Sequence, residues 1–185
     1  MQLDDAIKQR NSTKKFSSRK PDWRDIIECI EAARHAPLAG GIPTLKFILV
    51  SEKEKIAEIA EACQQNFISQ IHYVVAVISD PAKTVNSFGK RGEIYVRQQA
   101  GAAIQNLLLK IEEKKLAACW VGHLSEGQIK RILKVPDKGQ QIEAVIPIGY
   151  EFKKERPSKK VDLDAVLYFE SYGNKKMERP KKLEV

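Results

Sequence analysis

The sequence has no cysteine pair at metal-binding or redox spacing: Cys29, Cys63 and Cys119 stand far apart, with no CxxC. That argues against a disulfide framework and a zinc ribbon, and each thiol is expected to fill core as a small hydrophobe. The three histidines, His35, His72 and His123, fall at unrelated spacings and make no HExxH, so no metal site is expected. The longest apolar run, YVVAVI over 73–78, is far too short to span a bilayer, and no membrane association is expected. The opening MQLDDAIKQR lacks the apolar centre of a secretory signal, which makes a cytoplasmic home the expectation. No GxxxxGK[ST] loop and no GxGxxG turn occurs anywhere. Aromatic residues are only 7% of the chain and no basic stretch is interleaved with them, so nucleic-acid binding is not expected despite a formal charge of +8.

What remains is the composition of a globular protein, 43% apolar and 30% charged, in a chain of 185 residues that suits one domain. The patterning divides it into a core over 1–150 and a basic, aperiodic tail over 151–185, which needs something to lie against. Leu3, Ala6, Ile7 and Arg10 share a helical stripe, with Asp4 and Asp5 in the first turn, and this helix ends near Asn11. Asp22 reads as the N-cap of a second helix with Trp23, Ile26, Ile27, Ile30 and Ala33 on one face, stopped by Pro37. Ile56, Ile59, Ala60, Cys63 and Phe67 give a third. The longest runs from about Glu93 to Lys115, and its Gly101 costs about 1 kcal/mol relative to alanine, for which tight packing is the expected compensation. SEGQ over 125–128 reads as a capping box opening a helix to Leu133.

KFILV (46–50), HYVVAVISD (72–80) and IEAVIPIGY (142–150) read as strands, and Pro147 predicts an edge or a bulge in the last. AACWVGH reads as a short strand and turn, with Trp120 in the core. The stretch around Gly89 and Gly92 reads as a loop of the kind that covers sites.

One segment carries chemistry. In RNSTKKF (10–16), a chain leaving a helix into extended backbone projects Arg10, Ser12 and Lys14 to one face. A planar fork, a neutral hydroxyl and a point charge suit a phosphate monoester without a glycine-rich loop. On this segment alone, a solvated basic surface is the plainer explanation.

AIKQRNSTKKF, AARHAPLAGGIPTLKFILV, AGAAIQNLLL, LAACWVGHL, ILKVP and VIPIGY, in that order, make the chain resemble the nitroreductase family of FMN-dependent oxidoreductases over nearly its whole length. The resemblance implies an α+β fold: a nitroreductase-like three-layer sandwich, with a central, mainly antiparallel sheet flanked by helices, in an intertwined homodimer whose tails wrap the partner. It implies that Arg10, Asn11, Ser12 and Lys14 bind FMN, the first three at the phosphate and Lys14 at either the phosphate or the pyrimidine end of the ring, with Lys159 and Lys160 closing over the phosphate. Pro37, Leu38, Ala39 and Gly41 would face the flavin from the other copy. Gly122 and His123 would lie beside the ring, where backbone N–H groups bond its reactive nitrogen, and Asn66 would approach the pyrimidine edge. His123 is included for its backbone, and Gln99 and Asn106, seven apart on the long helix, are given structural roles.

The implied function is transfer of two electrons from NAD(P)H through FMN to a nitro-aromatic, quinone or similar small acceptor, with no catalytic side chain because the cofactor carries the chemistry. Reductive dehalogenation or flavin fragmentation at the same FMN, or a non-enzymatic basic binding module, are the alternatives. The sequence departs from the family where many members continue with asparagine and then glutamine-proline-tryptophan: Gly41, Ile42, Pro43, Thr44 and Leu45 supply no amide or indole. Lys159 and Lys160 also stand where an arginine is common.

Overall fold

A computed structural model describes residues 1–153, 157 and 159–177. Its centre is a four-stranded sheet of β1 (Leu45–Val50), β2 (Tyr73–Ser79), β3 (Ala117–Ala118) and β4 (Gln141–Gly149). The strands stand in the order β1-β2-β4-β3, with every neighbouring pair antiparallel. β2 is buried along its whole length, as its unbroken apolar run requires. Period-two alternation then sends its side chains to two different cores. Tyr73, Val75 and Val77, with Ala144, Ile146 and Ile148 of β4, pack beneath α2 (Trp23–Arg34) and α5 (Arg91–Glu113). Val74 and Ile78, with Ile142 and Val145, pack on the other face against α3 (Lys53–Ala62) and α6 (Glu126–Leu133). The result is a three-layer α+β sandwich. Ile104, Leu107 and Ile111 of α5 are fully buried, and each contributes roughly 1.5–3 kcal/mol.

α1 (Leu3–Gln9) lies against α5. The Asp22 carboxylate accepts the Arg24 N–H at 2.9 Å and so starts α2 as its sequence predicts. α2 buries Ile26, Cys29 and Ala33 but leaves Trp23 47% and Ile27 45% exposed, so its predicted apolar face is wider than one chain covers. α3 stops at Ala62, because Gln64 takes φ +53°, and Phe67 belongs to a separate 3₁₀ turn over Asn66–Gln70.

Other expectations are corrected. Gly89 and Gly92 do not share a site-covering loop: α4 (Ala82–Phe88) ends just before Gly89, and Gly92 already lies inside α5. A Cβ on Gly92 would sit 2.5 Å from the Thr84 carbonyl oxygen, so that glycine allows α4 and α5 to touch. Pro147 is not on an edge strand, since β4 runs between β2 and β3, and the register shift falls near Val77 and Ile78 instead. Pro147 faces the end of two-residue β3, where its carbonyl still accepts the Cys119 N–H at 3.4 Å and its missing donor leaves the reciprocal bond unmade. Ser125 makes no side-chain cap on α6; its own N–H is donated to Ala62 O at 2.8 Å, so the predicted capping box is not closed. A Cβ on Gly101 would meet nothing within 4 Å, so its tight packing is not supplied by this chain. α7 (Leu163–Val166) lies in the tail. Among the described residues no helix is long and apolar enough to cross a membrane.

Candidate functional site

The segment that follows α1 is clamped from both sides. Ser12 bridges Ala118 in parallel, and the Thr13 N–H donates to Ala118 O at 2.9 Å. Farther on, the Ser17 N–H donates to Tyr150 O at 2.8 Å and the Phe152 N–H to Lys15 O at 3.0 Å. Extended backbone makes the side chains alternate. Thr13 points inward, buried, with its hydroxyl donating to Glu151, while Ser12 and Lys14 are exposed and Arg10 is half-buried. Asn11 turns away from that face and lines a cavity of about 320 Å³ with Thr13 and Glu112.

Lys14 and Arg10 are both felt electrostatically at Cys119, just past β3. Burial pushes the Cys119 thiol up from its ordinary value, while the charges of Lys14 and then Arg10 pull it down. Past Cys119, Val121 exchanges two hydrogen bonds with Val145, at 3.0 and 2.9 Å, and Gly122 and His123 emerge at the surface. Trp120 is a correction: 41% exposed rather than core, because alternation turns Cys119 and Val121 inward and the indole out. Phe16 stacks on Phe67 with centroids 6.2 Å apart, which places Asn66, exposed, one residue from the same apolar floor. Cys119, Val121, Phe16 and Phe67 share one apolar cluster, and Asn66 and Gly122 are chain neighbours of Phe67 and Val121.

Pro37, Leu38, Ala39 and Gly41 lie elsewhere. Gly40 and Gly41 take φ of +60° and +69°, a turn that glycine allows, and a Cβ on Gly40 would come 2.9 Å from the Phe88 ring. Pro37, Leu38 and Ala39 face Tyr95, Gln98, Gln99 and Ala102 of α5 across a groove of about 400 Å³. Asn11 and Thr13 instead share their cavity with Glu112. Ten residues of helix separate Ala102 from Glu112, and at about 1.5 Å each they put roughly 15 Å between the two parts. Lys159 and Lys160 are exposed ahead of α7.

Gln99 carries a signal that the sequence did not. It is 4% exposed, its Oε1 accepts from the Thr44 hydroxyl at 2.9 Å, and its buried Nε2 has no partner. A buried amide donor left unpaired costs about 1–3 kcal/mol, and Gln99 also lines the groove opposite Pro37, Leu38 and Ala39. Asn106 keeps the structural role expected of it: its Nδ2 donates to Ala32 O of α2 at 3.4 Å.

The nitroreductase family profile matches residues 7–73 and 61–150, and the chain belongs to that family. A Streptococcus pyogenes protein named for NAD(P)H nitroreductase activity is 26% identical, over 86% of this chain and 95% of its own. Iodotyrosine deiodinase of Thermotoga neapolitana is 20% identical, over 80% of this chain and 88% of its own. An FMN-dependent nitroreductase from Clostridium difficile shares the fold, with a TM-score of 0.78 at 23% identity over 90% of this chain and 98% of that one.

Proposed function

We propose that two copies of this chain bind FMN between them and pass two electrons from NAD(P)H to a nitro-aromatic, quinone or similar small acceptor. The observation that carries this is the division of donors between two places. Side chains suited to an anion follow α1 beside Ala118, and the unpartnered Gln99 amide belongs to a separate groove against Pro37, Leu38 and Ala39. A second copy completes each site. The exposed apolar side chains Leu3, Ile7 and Ile27, and Leu163 and Val166 of the tail, suit a surface covered by that copy.

The residues present fit the cofactor. Arg10, Ser12 and Lys14 would neutralise its phosphate, with Lys159 and Lys160 adding charge from the tail and Asn11 contributing through its backbone. Asn66 and the backbone N–H groups around Gly122 and His123 would face the ring from the same copy. Pro37, Leu38, Ala39 and Gly41 would wall it from the other, with Gln99 donating to it. Bound there, FMN would supply hydride acceptance from the nicotinamide and electron delivery to the acceptor, chemistry that no side chain here offers. The protein's part is to hold the ring, exclude water from it and set positive charge beside it. Such a donor-fed reductase suits the cytoplasm.

The match to iodotyrosine deiodinase favours a second reading, reductive dehalogenation at the same flavin. One experiment tests the proposal. The purified protein, incubated with excess FMN and desalted, should keep flavin absorbance that bleaches anaerobically on adding NADH or NADPH. A protein that stays colourless overturns it. Rapid turnover of a nitroarene supports the first reading, and release of iodide from iodotyrosine under dithionite supports the second.

A further inference from the structure

The flavin reading leaves part of α5 unused. Arg91, Tyr95, Gln98, Gln99 and Ala102 recur at helical spacing and form one stripe, and all but Arg91 line the groove opposite Pro37–Ala39. Gln99, with its unpartnered amide, stands at the inner part of this stripe, and Tyr95 lies a turn closer to the start of α5. The Phe88 ring meets Tyr95 edge-on, with centroids 5.3 Å apart, and Phe88 also lies against Gly40 of the facing loop. One end of the groove is therefore lined by the Tyr95 ring, with Phe88 packed edge-on against it. The Arg91 guanidinium lies 5.9 Å from the Tyr95 ring centroid, is exposed, and makes no ion pair among the described residues. Its surroundings are basic: between Ala82 and Gln98 stand Lys83, Lys90, Arg91 and Arg97 against the single carboxylate of Glu93.

We propose that this end of the groove is the acceptor subsite, and that Arg91 selects planar aromatic acceptors carrying a carboxylate over their neutral counterparts. The inference rests on the flavin reading and adds the substrate class. Tyr95, held by Phe88, offers the ring an aromatic surface, and the carboxylate reaches the guanidinium at the mouth, where a planar fork matches it in two hydrogen bonds. The guanidinium is exposed, so the selection is modest, about three- to fivefold rather than the hundredfold of a buried pair.

The test uses benzoate and benzamide, two rings of the same size that take no electrons, titrated into the oxidised, flavin-loaded protein by calorimetry. Benzoate should bind about three- to fivefold tighter than benzamide. Arg91→Ala should bring that ratio close to one, and Arg91→Lys should restore part of it. Tyr95→Leu should weaken both ligands together. Lys83→Ala, which removes a nearby charge outside the groove, should leave the ratio unchanged. Equal binding of the two ligands by the native protein, or an equal fall in the ratio for Lys83→Ala, overturns the inference. So does an Arg91→Ala protein that keeps the ratio and instead shows a raised KM for NADPH, since the guanidinium would then serve the donor's phosphate. A colourless protein sinks the flavin reading beneath this inference; a yellow protein with no preference for benzoate sinks this inference alone.

Discussion

Gly101 separates a lone chain from a paired one. It lies in the middle of α5, and nothing in the chain approaches the place its Cβ would fill. In an isolated chain Gly101→Ala should therefore only gain, by about 0.8–1.0 kcal/mol of helix propensity. For a chain of this size that raises Tm by roughly 2–4 °C, and Gly101→Leu should do nearly as well. If α5 is covered by a second copy, the outcome for leucine reverses. Overpacking costs roughly 1–3 kcal/mol per copy, and two-fold symmetry applies it twice, for about 2–6 kcal/mol in all. The dimer dissociation constant should then rise from roughly 30-fold to more than 10,000-fold, and flavin should be lost with the partner. Sedimentation equilibrium over a concentration series reads the first effect, and flavin absorbance per chain the second. A Gly101→Leu protein of unchanged mass at every concentration, with Tm at or above that of the native protein, would refute the reasoning.

Three further outcomes are expected. Gly92→Ala should destabilise by about 1–2 kcal/mol in urea denaturation despite its gain in propensity, because the new Cβ would press on the Thr84 backbone of α4 at 2.5 Å; an unchanged midpoint would show that α4 moves freely. The Lys130 ammonium, and then the Ile142 N–H, hold the Glu126 carboxyl below its ordinary value of 4.5. A depressed carboxyl contributes stability that is fully present above that ordinary value and is lost as pH falls through its folded value. Glu126→Gln should accordingly flatten the acid limb of a stability-against-pH curve and leave its shape near neutrality unchanged; an equally steep acid limb would count against the pairing. Burial pushes the Cys29 thiol up to about 12 and the Cys63 thiol to about 11, so neither should react with Ellman's reagent at mildly alkaline pH until denaturant is added, and fast labelling of the folded protein would contradict that burial.

Much of this fold is local and therefore legible in the sequence. The Asp22 cap, the spacing of Ile26, Cys29 and Ala33, and the unbroken apolar run of β2 each follow from neighbours in the chain. The misreadings have tertiary causes. α4 buries only Thr84 and shows little apolar period, and its junction with α5 depends on a glycine whose need appears only when two backbones meet. Trp120 looked like core because it follows LAAC, but β3 ends at Ala118 and alternation exposes the indole. The face bearing Arg10, Ser12 and Lys14 was legible, since extended backbone sets it. The unpaired Gln99 amide was not, since Thr44, which occupies its other atom, lies 55 residues away. Nor does spacing in sequence reveal that Asn11 and Ala39 sit against different ends of one long helix.

The central claim is that each flavin site takes Arg10 from one copy and Gln99 from the other. Arg10→Ala and Gln99→Leu chains, carrying different tags and purified together as a mixed dimer, test it most directly. One site then carries both substitutions and the other carries neither. The account predicts about one tightly held FMN per mixed dimer by absorbance after desalting, with far less in either dimer of identical mutant chains. A mixed dimer as empty as those two would contradict it, because every site would then draw both residues from a single chain.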